Sequence, residues 1–422
     1  MKIAIIGAGS SYTPELVLKL YETNKISEKL PVSEIALMDT DEKRLDVMFG
    51  FCRRYAKNLG YSVHFTQTTD LRKAVDGAKF VVTQIRVGGN RARVWDEKIP
   101  ISHGLVGQET TGAGGFMKAL RTVPAMVEIG NCVSELSPDS WIVNYSNPTG
   151  IVAEGVIKAT KAKIAGLCAG GMFPAGWTSR ALNVPAEQVR YDYAGLNHMN
   201  FAYNITVNGR SVTNEEMEKI MRAVGSVDFE LLKKIGAVAS PYLHYYFHEK
   251  YTVEHMKNAS ETRGEQVLAL EKEIFDGYSD ENNSEVPQAL HKRGGGGYSD
   301  VAIGIMDSIY NNIDTFMVVN VPNNNILPFL PNDAVIETAC MVNAGGIKSV
   351  TIDPPPKSVW GLISAVKNYE QLTVEAALTG CKDTALLALV AHPLVRDYDV
   401  AKPLLDELLE ANKDYLPLFF KK

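Results

Sequence analysis

The chain has 422 residues, of which 45% are apolar and 22% charged, and its formal net charge is −6. This length predicts two intimately packed domains, and the acidic balance argues against nucleic acid as a partner. No apolar run is long enough to span a bilayer, so no membrane partner is expected. Five dispersed cysteines without a CxxC pair favour a reducing compartment, and we expect a cytoplasmic protein.

The first 170 residues alternate short β-rich runs with helical patterns. This alternation predicts an α/β fold with an N-terminal Rossmann-like, doubly wound parallel sheet covered by helices on both faces. The predicted strands are Lys2–Ile6, Ser33–Met38, Val63–Phe65, Lys79–Ile85, Ser140–Tyr145 and Lys163–Leu167. The predicted helices are Pro14–Tyr21, Asp41–Asn58, Gly115–Leu136 and Thr149–Lys158.

From residue 171 to 422 the patterns are longer and mostly helical, which predicts a second, mainly helical α+β domain. Its predicted helices include Asn214–Val224, Arg263–Phe275, Val301–Tyr310 and Pro403–Asn412. Two β-rich runs interrupt them, Met317–Val321 and Ala334–Val342. The segment Arg293–Tyr298 contains four consecutive glycines and is expected to be a loop.

A glycine-rich segment directly follows the first predicted strand. Gly7 permits a tight turn, and Gly9 lets a pyrophosphate approach the backbone. Tyr12 replaces the usual third glycine, so the motif is weaker than a complete G-x-G-x-x-G. The residues expected to bind a dinucleotide here are Gly7, Gly9, Ser10 and Ser11.

The context of this segment strengthens the interpretation. Thr13 is expected to cap the next helix, with Pro14 in its first turn, so that the positive helix end points at the phosphates. Asp39 ends the second strand, where a carboxylate can bond the ribose hydroxyls and favour NAD over NADP. An ordinary glycine turn with a surface Asp, and a site for FAD or a nucleotide sugar, are the alternatives.

Short motifs then follow in order along nearly the whole chain. They are Ile85-Arg86-Val87-Gly88-Gly89, Gly107-Gln108-Glu109-Thr110, Asn144-Tyr145-Ser146-Asn147-Pro148, Gly166-Leu167-Cys168, Gly195-Leu196-Asn197-His198, Pro241-Tyr242-Leu243-His244-Tyr245-Tyr246, Thr262-Arg263 and Val319-Asn320-Val321-Pro322-Asn323. This ordered set resembles glycoside hydrolase family 4, the NAD- and metal-dependent phosphoglycosidases. The resemblance implies redox elimination, in contrast to the two-carboxylate chemistry of most glycosidases. The sugar is oxidised at C3, deprotonated at C2, cleaved at C1, hydrated and reduced again at C3.

The resemblance implies that Cys168 and His198 are the two protein ligands of a divalent metal, in this family usually Mn²⁺. Taken alone, Cys168 would be a buried strand-end residue and His198 a loop histidine. The resemblance also implies that Tyr242 is the base that removes the C2 proton. Its pKa, near ~10 in a free phenol, would have to be lowered by a nearby cation. Tyr245 and Tyr246 are alternative bases, and all three could instead pack in the core.

Arg263 matches the family position that binds the sugar 6-phosphate, for which a guanidinium fork is well suited. Without the resemblance it would be a solvated helix residue paired with Glu261 or Glu265. Arg93 and Asn147 match positions that contact the substrate.

The residue after the ligand cysteine departs from the family pattern. Members that act on α-linked phosphoglucosides have Asp there, and phospho-β-glucosidases usually have Asn. Ala169 can neither donate a proton nor bond a hydroxyl, which disfavours an α-glycosidase of the Asp type. The general acid therefore stays open, with Glu109 in the adjoining loop and a water molecule as candidates.

We therefore expect a 6-phospho-β-glucosidase that uses NAD and Mn²⁺, or another divalent metal, on a phosphorylated disaccharide or aryl glucoside. Residues 1–170 would bind NAD, and residues 171–422 would carry substrate, metal and the contacts of a homodimer or homotetramer. Within the family, a 6-phospho-α-glucosidase, an α-galactosidase and a uronidase are alternatives, and Arg263 argues against the last two. Alternatives of other classes are an NAD-dependent hydroxyacid dehydrogenase and a non-catalytic NAD-binding regulator.

Overall fold

The computed structural model of the chain describes residues 1–27, 29–293 and 297–420. The strands are β1 Lys2–Ile6, β2 Glu34–Met38, β3 His64–Thr68, β4 Ala78–Thr83, β5 Trp141–Asn144, β6 Lys163–Gly166, β7 Val189–Leu196, β8 Met199–Val207, β9 Arg210–Ser211, β10 Val238–Ala239, β11 Thr315–Pro322, β12 Val335–Asn343 and β13 Gly346–Ser349.

The helices surround these strands on both faces of the sheet. They are α1 Thr13–Ser27, α2 Glu42–Leu59, α3 Leu71–Val75, α4 Gly89–Ser102, α5 Gly112–Leu136, α6 Thr149–Ala159, α7 Phe173–Leu182, α8 Asn214–Val224, α9 Phe229–Ile235, α10 His244–Phe247, α11 Glu249–Asn258, α12 Arg263–Ser279, α13 Ala289–Arg293, α14 Tyr298–Asn311, α15 Trp360–Thr379, α16 Lys382–Ala391 and α17 Tyr398–Ala411. None of the described helices is long and apolar enough to cross a bilayer.

Six parallel strands form the N-terminal part of the sheet, in the spatial order β3-β2-β1-β4-β5-β6. The order reverses between β1 and β4, so the carboxyl ends of these two strands border a crevice. This arrangement confirms the predicted Rossmann-like sheet and places the expected ligand crevice beside the loop that follows β1.

The strands of the C-terminal region extend the same sheet instead of forming a separate one. β11 runs antiparallel to β6, with Asn320 opposite Gly166, and the order continues through β12, β7, β8 and β10. The side chain of Asn320 strengthens this junction by donating a hydrogen bond to the Gly166 carbonyl at 3.0 Å. The second region is therefore α+β as expected, but its sheet is continuous with the parallel strands.

The core lies on both faces of the sheet because neighbouring residues of a strand point to opposite sides. In β1, Ile3 and Ile5 pack into the cluster that includes residues of α1, α2 and α14. Ala4 and Ile6 pack into the other cluster, which includes residues of α5, α6 and α15. All four side chains are buried, as expected for a strand covered on both faces.

The predicted loop over Arg293–Tyr298 is wrong at its ends. Arg293 is the last residue of α13 and Tyr298 is the first residue of α14. Gly297 precedes α14 with φ of +91°, a left-handed conformation that glycine adopts without steric cost. Residues 294–296 of the predicted loop lie outside the described residues. Helix α14 thus begins three residues before the predicted start.

Candidate active site

A cavity of about 1640 Å³ opens at the carboxyl ends of the parallel strands, where ligands bind in open α/β sheets. Its walls contain most of the residues that the sequence singled out. They are Gly7, Gly9, Ser10, Asp39, Arg93, Glu109, Asn147, His198, Tyr242 and Arg263. Ser11 and Cys168 are not among the described residues of this wall. The cavity therefore joins the glycine-rich loop to a cluster of polar side chains from the C-terminal region.

The glycine-rich loop has the backbone geometry that the sequence indicates. Gly7 has φ of +85°, and a Cβ atom there would lie 2.9 Å from the backbone carbonyl of Gln84. Gly9 donates its N–H to the Asp39 carboxylate at 2.8 Å, and Arg44 donates to the Gly9 carbonyl. A Cβ at Gly9 would collide with Asp39 at 2.8 Å. These residues form a tightly packed turn in which a side chain at either glycine would collide with its neighbours, as in the turns that approach a dinucleotide pyrophosphate.

Two expectations at the start of α1 need correction. Thr13 does not cap the helix by accepting a backbone N–H, because it lies in the helix and its hydroxyl donates to the Ala8 carbonyl at 2.8 Å. Ser10 instead accepts the N–H of Tyr12 at 3.3 Å. Ser11 is completely buried and is not among the described residues of the cavity wall, and its carbonyl accepts a hydrogen bond from Tyr278.

His198 lies in the turn between β7 and β8 with φ of +64°. Its ring is buried, and neither ring nitrogen has a hydrogen-bond partner among the described residues. Burial lowers the pKa of the imidazole to about 3, so the ring is neutral. Buried polar atoms without partners are rare, and a neutral imidazole with a free nitrogen is the commonest metal ligand in proteins.

Cys168 follows β6 and begins the 3₁₀ helix Ala169–Met172. Its sulfur accepts the Gly170 N–H at 3.3 Å, and burial together with the nearby Glu337 carboxylate raises the pKa of the thiol. No group of three or more His, Cys, Asp or Glu residues that could hold a metal ion occurs in the described part of the chain. A metal held by Cys168 and His198 would thus have only two protein ligands, which leaves coordination positions open for a substrate.

Tyr242 lies against His198, with the two rings stacked 3.7 Å apart and inclined by 6°. Burial raises the pKa of its phenol, and the nearby Cys168 thiol raises it further. A bound cation would act in the opposite direction by stabilising the phenolate. Of the three candidate bases, only Tyr242 is among the described residues of the large cavity; Tyr245 packs on His244 at 3.9 Å.

Glu109 is surrounded by three basic side chains. Its carboxylate accepts hydrogen bonds from Arg86 at 2.6 Å and from Lys118 at 2.8 Å, and it pairs with Arg93 at 3.2 Å. Although burial opposes ionisation, Arg86, Lys118 and Arg93 hold the pKa of the Glu109 carboxyl well below its usual range. An ionised carboxylate has no proton to give, so this arrangement does not favour Glu109 as the general acid.

The other predicted substrate residues also reach the cavity. Arg93 pairs with Glu97 at 2.8 Å as well as with Glu109. Arg263 donates to the side chain of Gln266 and to the backbone carbonyls of residues 292 and 293. It does not pair with Glu265, whose carboxylate contacts Lys98. The Arg263 guanidinium is thus positioned on the cavity wall by neutral acceptors, and its charge is available to an anion.

Sequence reasoning missed several side chains of the cavity wall, chiefly Arg86, Lys118, Arg293 and Tyr298. Burial and the neighbouring guanidinium of Arg86 lower the pKa of Lys118 to about 7. Arg86 belongs to the motif Ile85-Arg86-Val87-Gly88-Gly89, and Tyr298 directly follows the glycine run. Lys118 gave no signal, because a lysine within a predicted helix usually faces solvent.

Comparison with known proteins places these features in one family. The chain matches the model described as "Family 4 glycosyl hydrolase" over residues 2–178 and the model described as "Family 4 glycosyl hydrolase C-terminal domain" over residues 193–395. It is 39% identical to a protein of Bacillus subtilis named "Probable 6-phospho-beta-glucosidase", across 100% of this chain and 98% of that protein.

Solved structures agree with these matches. The 6-phospho-beta glucosidase from Thermotoga maritima, determined with NAD and glucose-6-phosphate, superposes with a TM-score of 0.90 at 35% identity. The superposition covers 98% of this chain and 99% of that one. The same enzyme was also determined with manganese, NAD⁺ and glucose-6-phosphate. A 6-phospho-alpha-glucosidase from gut microorganisms, with NAD and glucose-6-phosphate, gives a TM-score of 0.88 at 30% identity and covers 99% of each chain.

Proposed function

The chain belongs to family 4 of the glycosyl hydrolases, and from this premise we propose that it hydrolyses 6-phospho-β-glucosides by NAD-dependent redox elimination. One observation carries the proposal. A single cavity contains both the nucleotide-binding loop at Gly9 and Asp39 and the pair formed by His198 and Tyr242. Oxidation and deprotonation at adjacent sugar carbons require this proximity of cofactor, metal ligand and base.

The β-anomer is favoured by two observations. Relatives named as 6-phospho-β-glucosidases are 34–39% identical to this chain, whereas those named as phospho-α-glucosidases or maltose-6'-phosphate glucosidases are 28–30% identical. Ala169 also lacks the proton-donating side chain that the α-acting members carry after the ligand cysteine. Arg263 on the cavity wall favours a phosphorylated sugar over the substrates of α-galactosidases and uronidases.

The residues present fit both cofactors. Gly7 and Gly9 would hold the pyrophosphate of NAD, with Ser10 at the same edge and Asp39 at the ribose. Cys168 and His198 would hold Mn²⁺ or another divalent metal. When bound, NAD supplies a reversible hydride acceptor at C3 of the sugar, and the metal supplies a Lewis acid for the oxygens at C2 and C3.

The side chains of the chain itself supply binding and proton transfer. The 6-phosphate is held by Arg263, with Arg93 and Asn147 at the adjoining part of the sugar. Tyr242 removes the C2 proton, which is acidified once C3 is a ketone. The proton returns to C2 when water adds at C1. Because C3 is reduced in the last step, NAD ends unchanged and no net NADH forms.

A simple NAD-dependent hydroxyacid dehydrogenase makes the opposite prediction, since it would accumulate NADH in proportion to product. We further assign residues 1–170 to NAD binding and residues 171–422 to substrate, metal and self-association. The assembly is a homodimer or homotetramer. The phosphorylated substrate and the dispersed free cysteines fit a cytoplasmic enzyme that acts on a disaccharide or aryl glucoside phosphorylated during import.

The direct test is an assay with p-nitrophenyl β-glucoside 6-phosphate, NAD⁺, Mn²⁺ and a reductant. We expect release of p-nitrophenol without net NADH, and exchange of the C2 proton with solvent deuterium. The matching α-anomer and the unphosphorylated glucoside serve as controls. Cleavage of the unphosphorylated compound alone, or complete retention of a C2 label in the product, would contradict the proposal.

Two variants test the metal assignment within the same assay. Cys168→Ser and His198→Ala are each expected to abolish metal-dependent turnover, because each removes one of only two protein ligands. Both variants should bind NADH with nearly wild-type affinity, as measured by fluorescence titration, since the glycine loop is intact. Full metal-dependent turnover in either variant would remove that residue from the metal site.

A further inference from the structure

Breaking the glycosidic bond requires a proton for the departing C1 oxygen whenever the leaving group is an alcohol. Of the two candidates from the sequence, Glu109 is held ionised by Arg86, Lys118 and Arg93, which leaves a water molecule, and Ala169 has no ionisable group. We propose that Tyr298, rather than a water molecule, donates this proton, which makes it a second catalytic tyrosine in the cavity that contains Tyr242. The inference rests on the proposed redox elimination and deepens it.

Tyr298 occupies the wall of the same cavity as Tyr242, His198 and Asn147. It is the first residue of α14, and its ring packs 5.8 Å from that of Tyr145. The side chain of Asn147, one of the positions assigned to the substrate, lines the same wall and is close enough to influence the phenol. The ring of Tyr298 is thus held at a helix start beside an aromatic neighbour, and it lines the cavity that contains Tyr242.

The two tyrosines reach the site from different elements. Tyr242 lies in the 3₁₀ helix Pro241–Leu243 and stacks on His198, beside the assigned metal ligands. Tyr298 arrives from α14 beside Asn147, after β5. Two phenols that line one cavity from different elements can serve two proton transfers, one removing the C2 proton and the other protonating the oxygen on C1.

The surroundings of Tyr298 keep its proton in place until bond cleavage. Burial raises the pKa of the phenol well above its usual range, and the neighbouring Cys168 and Tyr242 raise it further. The side chain of Asn147 acts in the opposite direction and lowers the pKa of the phenol, but burial dominates. A phenol that keeps its proton has one to give to the strongly basic alkoxide that forms as the C1–O bond breaks.

Each proton that is transferred is accounted for within one turnover. After C2 loses its proton to Tyr242, the electron pair forms the C1–C2 double bond and the C1–O bond breaks. Tyr298 gives its O–H proton to the departing oxygen and becomes a phenolate. When water adds at C1, its proton passes to the Tyr298 phenolate, and Tyr242 returns a proton to C2. Both residues finish in their starting state, and no further reactant is consumed.

The test compares Tyr298→Phe with Tyr310→Phe, the same change on the exposed end of the same helix. Cleavage is measured for β-glucoside 6-phosphates with methyl, phenyl, p-nitrophenyl and 2,4-dinitrophenyl leaving groups. For Tyr298→Phe we expect kcat to fall ~10²–10⁴-fold with the methyl glucoside and within about threefold with the dinitrophenyl glucoside. Tyr310→Phe should follow the wild type throughout.

Hydrogen–deuterium exchange at C2 distinguishes loss of a proton donor from loss of a merely structural residue. Without the proton donor, C2 deprotonation continues while expulsion slows, so unreacted methyl glucoside should acquire solvent deuterium faster than it is cleaved. An equal loss across all leaving groups, or no loss with any, would overturn the proposal. If the wild type itself shows no C2 exchange, the redox elimination fails, and this outcome is distinct from failure of the Tyr298 assignment.

If the Tyr298→Phe variant no longer binds NADH, a second substitution still tests the role of this residue. Fluorotyrosine incorporated at position 298 keeps the ring and the hydroxyl but makes the phenol more acidic. We expect a weaker dependence of kcat on the leaving group than in the wild type. An unchanged dependence would overturn the assignment of Tyr298 as proton donor.

Discussion

Lys367 is buried between two carboxylates and provides a quantitative test of how the interior behind the metal ligands is held together. Its ammonium lies 2.9 Å from Glu154 and also contacts Glu370, and all three side chains are inaccessible to solvent or nearly so. Burial raises the pKa of Glu370 to about 7 despite the neighbouring lysine. Replacement Lys367→Met removes the cation while preserving most of the side-chain volume.

We expect Lys367→Met to lower the free energy of unfolding by ~3 kcal/mol at pH 8, at the lower end of the ~3–5 kcal/mol typical of a broken buried pair. We expect the lower end of this range because the Glu154 carboxylate still has partners in the variant. It pairs with Lys158 at 2.8 Å and accepts the Val335 N–H at 3.1 Å. Among the described residues Glu370 pairs with no second cation, so its ionised form is left uncompensated.

The pH dependence follows from the direction of the Glu370 shift. A carboxyl whose folded pKa is raised binds more protons folded than unfolded, so its ionisation lowers stability as pH rises from about 4.5 to about 7. Loss of Lys367 raises the pKa of Glu370 further, so the stability of the variant continues to fall as the pH rises above 7. The destabilisation should therefore be at least ~1 kcal/mol smaller at pH 6 than at pH 8.

Urea unfolding followed by fluorescence at both pH values measures this effect. The control is Lys219→Met, which removes an exposed i,i+4 partner of Glu215 and should change stability by ~0.5 kcal/mol or less. A loss below ~1 kcal/mol at pH 8, or an equal loss at both pH values, would refute the reasoning, because a buried carboxylate without its cation must be costly.

Three further outcomes follow from the site. Gly7→Ala forces a side chain into φ of +85° and within 2.9 Å of Gln84, so NADH affinity should fall at least ~10-fold, measured by fluorescence. Arg263→Lys should raise KM for phosphorylated substrate ~10–100-fold, since it loses a fork of charge-assisted bonds; an unchanged KM would contradict the role. Tyr242→Phe should stop C2 exchange while NADH still binds; continued exchange would exclude it as the base.

The Rossmann-like half was predictable from sequence because its signals are local. The apolar strands alternate with helices, and the turn after β1 needs glycine where φ is positive. The predicted bounds of β1, Lys2–Ile6, agree with the structure, whereas β3 was predicted to end at Phe65 and extends to Thr68. This strand lies at the edge of the sheet, where polar residues such as the exposed Gln67 weaken the hydrophobic pattern.

The polar part of the site was less predictable because its properties arise between distant segments. Glu109 is an ordinary glutamate in sequence, and its ionised state comes from Arg86, Arg93 and Lys118, contributed by three separate parts of the chain. Tyr298 follows a glycine run whose composition predicts only a loop. The sequence contains no local signal that α14 begins there and directs this phenol toward the cavity.

Many two-lobed enzymes admit substrate by rotating one lobe against the other about a hinge. Such a rotation is obstructed here, because the antiparallel strands of the C-terminal region are hydrogen-bonded to the parallel strands through β6 and β11. Hinge opening would expose the paired edges of both halves and break buried backbone hydrogen bonds. We therefore expect sugar and cofactor to enter and leave through local rearrangement of the residues at the opening of the cavity. For the same reason, separating the two halves by proteolysis would leave each with an unprotected sheet edge, prone to aggregation.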